Sequence, residues 1–370
     1  INYTPWVESG ISSAGYSRSS VDKVYYNGNY SVSGNWTVWD GNRSKNSVKL
    51  NQLEKQRAEI DSATQALNIQ EQITQLYIQI LYSAEAVKVN QEILVSSQAN
   101  ETRGKEFYKN GKMSKADLAQ LTAQRAQDEY NIVAAESQNK NYKRQLKELL
   151  QLTNEDFDIV FLPTTDTTAL QAIPALADVY VSALNYRPEI KAYQNSIQQS
   201  DLNFKIAKAG NLPTISANAG VSTSTTSMNS LAWGRQLKSN FGLGAGITIS
   251  VPLFDNRSKK TAVNKALLQR QSAILDLKNE QTTLYSTIEN YWLQATTNQN
   301  QLKAAQASTN SAQISYQLIS EKLKEGLANV VDVRTEKDNL LKAKQNELQA
   351  KYLTVFNIDM LQLYKDGIVK

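Results

Sequence analysis

The 370-residue sequence contains no cysteine and no histidine. Disulfides, thiolate nucleophiles, imidazole bases and nearly every transition-metal site are thereby excluded, so enzyme readings begin without their usual groups. Proline is scarce as well: after Asp40 there is none until Pro163, and after Asp255 there is none at all. Helices can therefore run uninterrupted through both stretches. No segment approaches the roughly 18 consecutive apolar residues of a membrane-spanning helix, so a chain of this kind that crosses a membrane does so by strands. The formal net charge is only +5. Lysines and arginines alternate with acids along the helical stretches, which points to solvated faces and away from nucleic acid.

What is present is a duplication. Asp40 lies 71 residues before Gly111, and Asp255 lies 71 residues before Gly326. Each glycine is followed six positions later by an aspartate, Asp117 or Asp332. The flanks Trp39-Asp40-Gly41-Asn42-Arg43-Ser44-Lys45 and Phe254-Asp255-Asn256-Arg257-Ser258-Lys259 agree too. A period near 215 residues is too long for a solenoid and describes two halves of one object. The second half carries a helical segment, Pro188 to Gly210, before its strand; the first half has no counterpart, so an upstream helix, and a signal peptide before it, are expected in the encoded protein.

Strand signals come from strict alternation. Phe241, Leu243, Ala245, Ile247, Ile249 and Val251 share one face, with Gly242, Gly244, Gly246, Thr248 and Ser250 on the other. Tyr30, Val32, Gly34, Trp36 and Val38 alternate with Ser31, Ser33, Asn35 and Thr37, and Ile215 to Val221 repeats the pattern. A weaker first strand is expected around Trp6 to Tyr16. One-sided apolar strands fit a soluble sandwich or a membrane barrel. The small, nearly uncharged opposite face favours strands lining a wet lumen, and Tyr25, Tyr26, Tyr30, Trp36, Trp39, Phe241 and Phe254 near strand ends suit interfacial girdles. Four strands cannot close a barrel, so several copies must share one. The Ser/Thr/Asn-rich segments 17–24 and 222–240 read as exposed loops.

Ala66, Ile73, Ile80, Val87 and Leu94 recur every seven residues, with Ile69 and Leu76 between them, and Ile60, Leu67 and Leu81 form a second row. Ser44 to Tyr108 as one helix would extend roughly 95 Å; Ser114 to Leu150 and Pro188 to Gly210 together roughly match it, as two shorter staves beside a long one. Residues 153–175 read as an irregular belt with Phe157, Val160, Phe161 and Leu162 to bury, joined by the stretch after Asn357. In the two turns, Ser114-x-x-Asp117 and Asn329-x-x-Asp332 read as capping boxes behind a left-handed Gly111 or Gly326. The alternative is a ring of carboxylates at a pore mouth.

Asn185-Tyr186-Arg187-Pro188-Glu189, Ala209-Gly210-Asn211-Leu212-Pro213-Thr214, Val251-Pro252-Leu253-Phe254-Asp255 and the two Gly-x5-Asp turns occur in the order that resembles the TolC-like outer-membrane efflux proteins. The resemblance implies a mainly α fold with β: a trimeric α/β-barrel in which each chain gives four transmembrane strands and long coiled-coil hairpins. The implied segments are 1–40 (first β-hairpin), 41–150 (helical hairpin, tip near 109–117), 151–186 (belt), 187–254 (helix and second β-hairpin), 255–356 (second helical hairpin, tip near 324–332) and 357–370 (C-terminal belt). It further implies an outer-membrane channel with helices in the periplasm, a homotrimer meeting a periplasmic adaptor and an inner-membrane pump, no cofactor, no metal and no catalysis. Lipid would meet Tyr30, Val32, Trp36, Phe241, Leu243, Ile247 and Ile249. The adaptor would dock on Gly111, Ser114, Gly326 and Asn329, and Asp332, Glu336, Arg334 and Asp117 would stand at the pore mouth. Thr335 departs from the resembled turn, where a second acid stands, and Leu323 replaces an aromatic. A periplasmic coiled-coil scaffold or adaptor without a pore is the alternative; it leaves the strands without a purpose.

Overall fold

A computed structural model describes residues 9–12, 15–18, 26–152, 158–159 and 166–367. It divides into two compact units, Ile1–Lys55 with Asn195–Ile274, and Gln56–Gln194 with Leu275–Lys370.

In the first unit, β3 (Asn27–Trp39), β4 (Thr214–Thr226) and β5 (Gly242–Ser250) form an antiparallel sheet in that order. Register aligns the alternations. Val32 pairs with Val221 and that with Leu243; Trp36 pairs with Ala217 and that with Ile247. Ser33, Gly220 and Gly244 fall in the next row, as do Thr37, Ser216 and Thr248. Since side chains alternate across a strand, one sheet face is apolar from the Val32 row to the Ile249 row, with Thr223 and Thr225 beyond it, and the other is small and polar. A bulge between Thr37 and Trp39 brings Trp39 opposite Ile215, on the apolar face.

The expected first strand, around Trp6 to Tyr16, differs. Ser9–Ser12 (β1) and Gly15–Arg18 (β2) pair with each other as a separate hairpin, since a two-residue connection favours a tight reversal. The rest of that strand, Tyr25 and the loop at 19–24 lie outside the described residues. Phe241 stands immediately before β5 rather than in it. The segment expected as a loop at 222–240 extends β4 to Thr226 and forms a short helix, α6 (Trp233–Ser239). Buried Gln236 anchors it: its side-chain oxygen accepts from the Thr226 amide (2.7 Å), and its nitrogen donates to the Leu231 carbonyl (2.7 Å).

The long helices reproduce the duplication. α1 (Arg43–Lys109) and α7 (Ser258–Lys324) each hold 67 residues. Ser258 lies 215 positions after Arg43, and Lys324 lies 215 after Lys109. The returning helices α2 (Lys115–Leu149) and α8 (Val330–Asp366) keep that offset at their first residues. The strand-to-helix turns match too. Gly41 and Asn42 are left-handed, as are Asn256 and Arg257; Asp40 Oδ2 accepts from the Ser44 amide (2.8 Å) and Asp255 Oδ2 from the Lys259 amide (2.7 Å).

α5 (Pro188–Ala209) and α2 both lie beside α1: Asn195 donates to the Leu53 carbonyl and Asn139 to the Ile80 carbonyl, each at 3.1 Å. The buried seam of α1 corrects the expected row. Ile80 of that row is buried, but Ala66 is exposed and Ile73, Val87 and Leu94 are half-buried; Leu67 and Leu81 of the expected second row are buried, joined by Thr74, Asn90, Ser97 and Gly104. Close helix approach selects small residues there: a Cβ on Gly104 would stand 2.5 Å from the Leu121 side chain. α7 is buried along one stripe, Ile288, Ala295, Leu302, Tyr316 and Leu323, and leaves Leu268, Leu275, Leu293 and Leu318 exposed.

In the second unit, α8 is the most enclosed element. With α4 (Leu176–Tyr186), α5 and α7 it packs Val179, Ala183, Ile190, Ile288, Ile358 and Leu361 into one cluster. The stretch after Asn357, expected to join the belt, is helical. α8 runs on to Asp366 with Asn357 fully buried; the Thr354 hydroxyl donates to the Ala350 carbonyl and Asn357 Nδ2 to the Leu353 carbonyl. The belt residues Phe157, Val160, Phe161 and Leu162 lie outside the described residues; a short α3 (Asp166–Ala169) follows them. Among the described residues no helix is long and apolar enough to cross a membrane.

Candidate functional site

Two features stand apart from ordinary core: the sheet in the first unit and the paired helix turns in the second. On the sheet, Val32, Trp36, Leu243, Ile247 and Ile249 are each at least 65% exposed. Tyr30 is less so, because Trp233 of α6 meets its ring edge-on at 6.3 Å. A contiguous apolar face this bare is a surface for lipid or another chain. The opposite face, Ser31, Ser33, Asn35, Asn218, Gly244 and Thr248, carries no formal charge.

The turns are built alike. At the end of α1 the Lys112 amide donates to the Phe107 carbonyl (2.8 Å), and at the end of α7 the Leu327 amide donates to the Lys322 carbonyl (2.8 Å). Gly111 (φ 70°) and Gly326 (φ 73°) supply the left-handed residue that this closure needs. Beyond them, the Ser114 hydroxyl accepts from the Asp117 amide (3.0 Å) and donates to Asp117 Oδ2 (2.7 Å). Asn329 Oδ1 accepts from the Asp332 amide (2.8 Å), and Asp332 Oδ2 accepts from the Asn329 amide (3.4 Å), a reciprocal capping box. Ser114 and Asn329 are thus the helix caps, and the aspartate three positions after each is favoured by the positive end of its helix. The turns share one cleft of about 290 Å³, lined by Phe107, Met113, Asp117, Leu323, Gly326 and Asn329. Asp332 and Glu336 lie outside that lining; Glu336 is half-buried, and Arg334 reaches Asp338 at 3.8 Å on the surface.

Beneath the turns, Ile93, Leu121, Tyr316, Leu323, Val330 and Val333 form an apolar cluster. Sequence reasoning missed what lies next to it. Lys337 Nζ of α8 contacts both oxygens of Asp128 in α2, at 2.7 and 2.9 Å, and Ser97 of α1 donates to the same carboxylate. A neighbouring buried acid, Glu101, meets Lys105 (3.1 Å) and Arg125 (3.0 Å) and accepts from Thr122 (3.0 Å). Burial alone would raise its pKa, but the Lys105 and Thr122 hydrogen bonds with the two cations hold it below the usual value. Among the described residues no three acids converge as a metal site. Arg187 is the other hub: it grips Glu189 through Nε (3.0 Å) and Nη2 (2.8 Å), reaches Glu71 (3.3 Å) and lies 4.1 Å over the Tyr364 ring.

A model of the outer membrane efflux protein family matches residues 179–361. The cation efflux system protein CusC of Escherichia coli K12 is 21% identical over 199 residues, 52% of this chain and 42% of CusC, so the match spans less than half of that relative. In fold, a crystal structure of CusC superposes with a TM-score of 0.79 at 15% identity, over 93% of this chain and 83% of the other. The outer membrane protein VceC of Vibrio cholerae gives 0.73 at 15% identity, over 92% and 86%. With its duplicated helices, one-sided sheet and matched turns, the chain is similar to the outer membrane efflux proteins, in sequence over residues 179–361 and in fold over 93% of its length.

Proposed function

We propose that the chain is the subunit of an outer-membrane channel that conducts solutes delivered by a periplasmic adaptor and an inner-membrane pump, as a homotrimer. The register of β3, β4 and β5 carries this reading. From Val32 to Trp36 and from Leu243 to Ile249 it separates an apolar face from a small polar one, as a barrel wall between lipid and a wet lumen requires. An unclosed sheet in lipid would leave backbone groups without partners, so edges must be met by further copies. The uncovered flank of α7, Leu268, Leu275, Leu293 and Leu318, suits the same assembly, because a stave in a cylinder has neighbours on both sides.

In this reading Tyr30, Val32, Trp36, Leu243, Ile247 and Ile249 face lipid, with Phe241 at the membrane boundary. The turns at Gly111 to Asp117 and Gly326 to Asp332 are the far tips, where Gly111, Ser114, Gly326 and Asn329 offer the adaptor a surface. Asp332 and Glu336, with Arg334 beside them, set the charge of the pore mouth. A coiled-coil scaffold without a pore would have no use for the bare apolar face.

The absence of native cysteine gives a clean test. Single cysteines at Val32, Ile247, Ser33 and Thr248 are exposed to a charged, membrane-impermeant maleimide in liposomes. Reaction at Ser33→Cys and Thr248→Cys with protection at Val32→Cys and Ile247→Cys is expected. Equal labelling of both pairs would contradict the assignment of faces.

A further inference from the structure

Where the sheet passes into the helices, the first unit holds an open cleft of about 690 Å³ between the start of α1 and the end of α5. Lys45, Asn46 and Lys49 line it from α1 at helical spacings of three and four, so they share one face, and Asn42 lines it from the turn before the helix. Lys205 and Lys208 line it from the last two turns of α5, and Asn211 follows them. No acid lines the cleft. The four lysines are exposed, and among the described residues none of them pairs with a carboxylate, whereas Arg187, Arg270, Lys337 and Lys344 each have an acid within 4 Å. Lys208 is instead held over the Phe204 ring, 4.4 Å from its centre.

The first turn of α1 contains no acid, although Asp40 just before it caps the helix and offsets its positive end. The first turn of α7 contains none either, and the same place in the second repeat carries Arg257, Lys259 and Lys260. Basic groups thus follow the apolar strands immediately in both repeats. The floor of the cleft is apolar, with Leu212 and Val263. A concentration of unpaired ammonium groups beside an apolar membrane face is the arrangement that attracts an anionic lipid headgroup, with amide side chains available as hydrogen-bond donors to phosphate oxygens.

We propose that this cleft binds the phosphodiester headgroup of an anionic glycerophospholipid from the leaflet on the helical side of the barrel. The inference rests on β3 to β5 being membrane strands. Four converging point charges favour a headgroup that is net negative over a zwitterionic one, and the adjoining apolar sheet accepts the acyl chains. Such a lipid would fix the depth of the barrel at the level where the strands end.

The test uses the full-length protein reconstituted in bilayer discs of phosphatidylethanolamine with one part in five phosphatidylglycerol, the bound lipid being counted by native mass spectrometry after release. The native protein is expected to retain phosphatidylglycerol in excess over its share. Replacing Lys45, Lys49, Lys205 and Lys208 by Gln is expected to reduce that excess by about tenfold or more, given the contribution of each lysine near an anionic surface. The milder pair Lys45→Gln with Lys49→Gln should give a partial loss, and Arg at all four positions should retain the preference. No preference in the native protein, or an undiminished one in the Gln variants, would overturn the proposal. So would saturation of the site by millimolar inorganic phosphate with no lipid preference, which would identify a free-anion site. Conductance is recorded on the same samples. A native protein that selects the anionic lipid but does not conduct would count against the channel and support the cleft.

Discussion

Lys337 and Asp128 form an ion pair in which both side chains are only 2% exposed, with Nζ 2.7 Å from Oδ2. The pair joins α8 to α2, and the Ser97 hydroxyl adds α1. Removing one partner strands the other charge in the interior. Lys337→Met alone is therefore expected to cost roughly 3–5 kcal/mol, while Lys337→Met with Asp128→Leu should recover most of the loss, because desolvation of the pair offsets much of its attraction. Thermal and denaturant unfolding of the purified assembly measure both. Equal destabilisation by the single and the double variant would contradict this account of the pair.

Arg187 depends on shape as well as charge. Its two contacts to Glu189 and its stacking on Tyr364 need a planar guanidinium. Arg187→Lys keeps the charge and loses the fork and the stack, so a loss of about 2 kcal/mol is expected, with a larger one for Arg187→Ala, which leaves Glu71 and Glu189 without their cation. Unfolding midpoints of the two variants should rank in that order.

At the turns the demand is on the backbone alone. A Cβ on Gly326 or Gly111 would meet no atom within 4 Å, so the left-handed φ is the only obstacle to a side chain. Gly326→Ala is expected to cost about 1 kcal/mol and Gly326→Asn clearly less, since Asn tolerates this region. A clash-limited site would instead penalise Asn more than Ala, and unfolding curves distinguish the two.

Asp359 of α8 has no charged partner among the described residues, and burial raises its pKa from 3.8 to about 6. A carboxyl that holds its proton more tightly when folded stabilises the native state most at low pH; its contribution falls as pH climbs from about 4 through about 6. Asp359→Asn should therefore raise stability at pH 8 by about 1–3 kcal/mol and change little at pH 4. A gain of equal size at both values would show that titration is not the cause.

The parts of the fold that could be read from sequence are those in which one chain segment decides its own structure. Alternation at Leu243, Ala245, Ile247 and Ile249 marks a strand and its faces, and the spacing from Asp40 to Gly111, repeated from Asp255 to Gly326, marks a helix between two turns. The α1 seam was harder to read. Leu67, Ile80 and Leu81 are buried as their spacing suggests, but Ala66, Ile73, Val87 and Leu94 are not, and Thr74, Asn90, Ser97 and Gly104 are enclosed as well, because close packing between helices rewards small side chains. The Lys337–Asp128 pair left no local signal: each residue sits in a polar helical stretch, and only the packing of three helices removes both from water. The same holds for the lysines at 45, 49, 205 and 208, which converge only when α1 and α5 lie together.

The central claim is that several copies of this chain close one conducting barrel. The most direct measurement is the mass of the full-length protein purified in detergent, followed by conductance of the same preparation in a planar bilayer. A trimer that inserts and gives discrete, long-lived conductance steps is expected. A water-soluble monomer that leaves the bilayer silent would contradict the account.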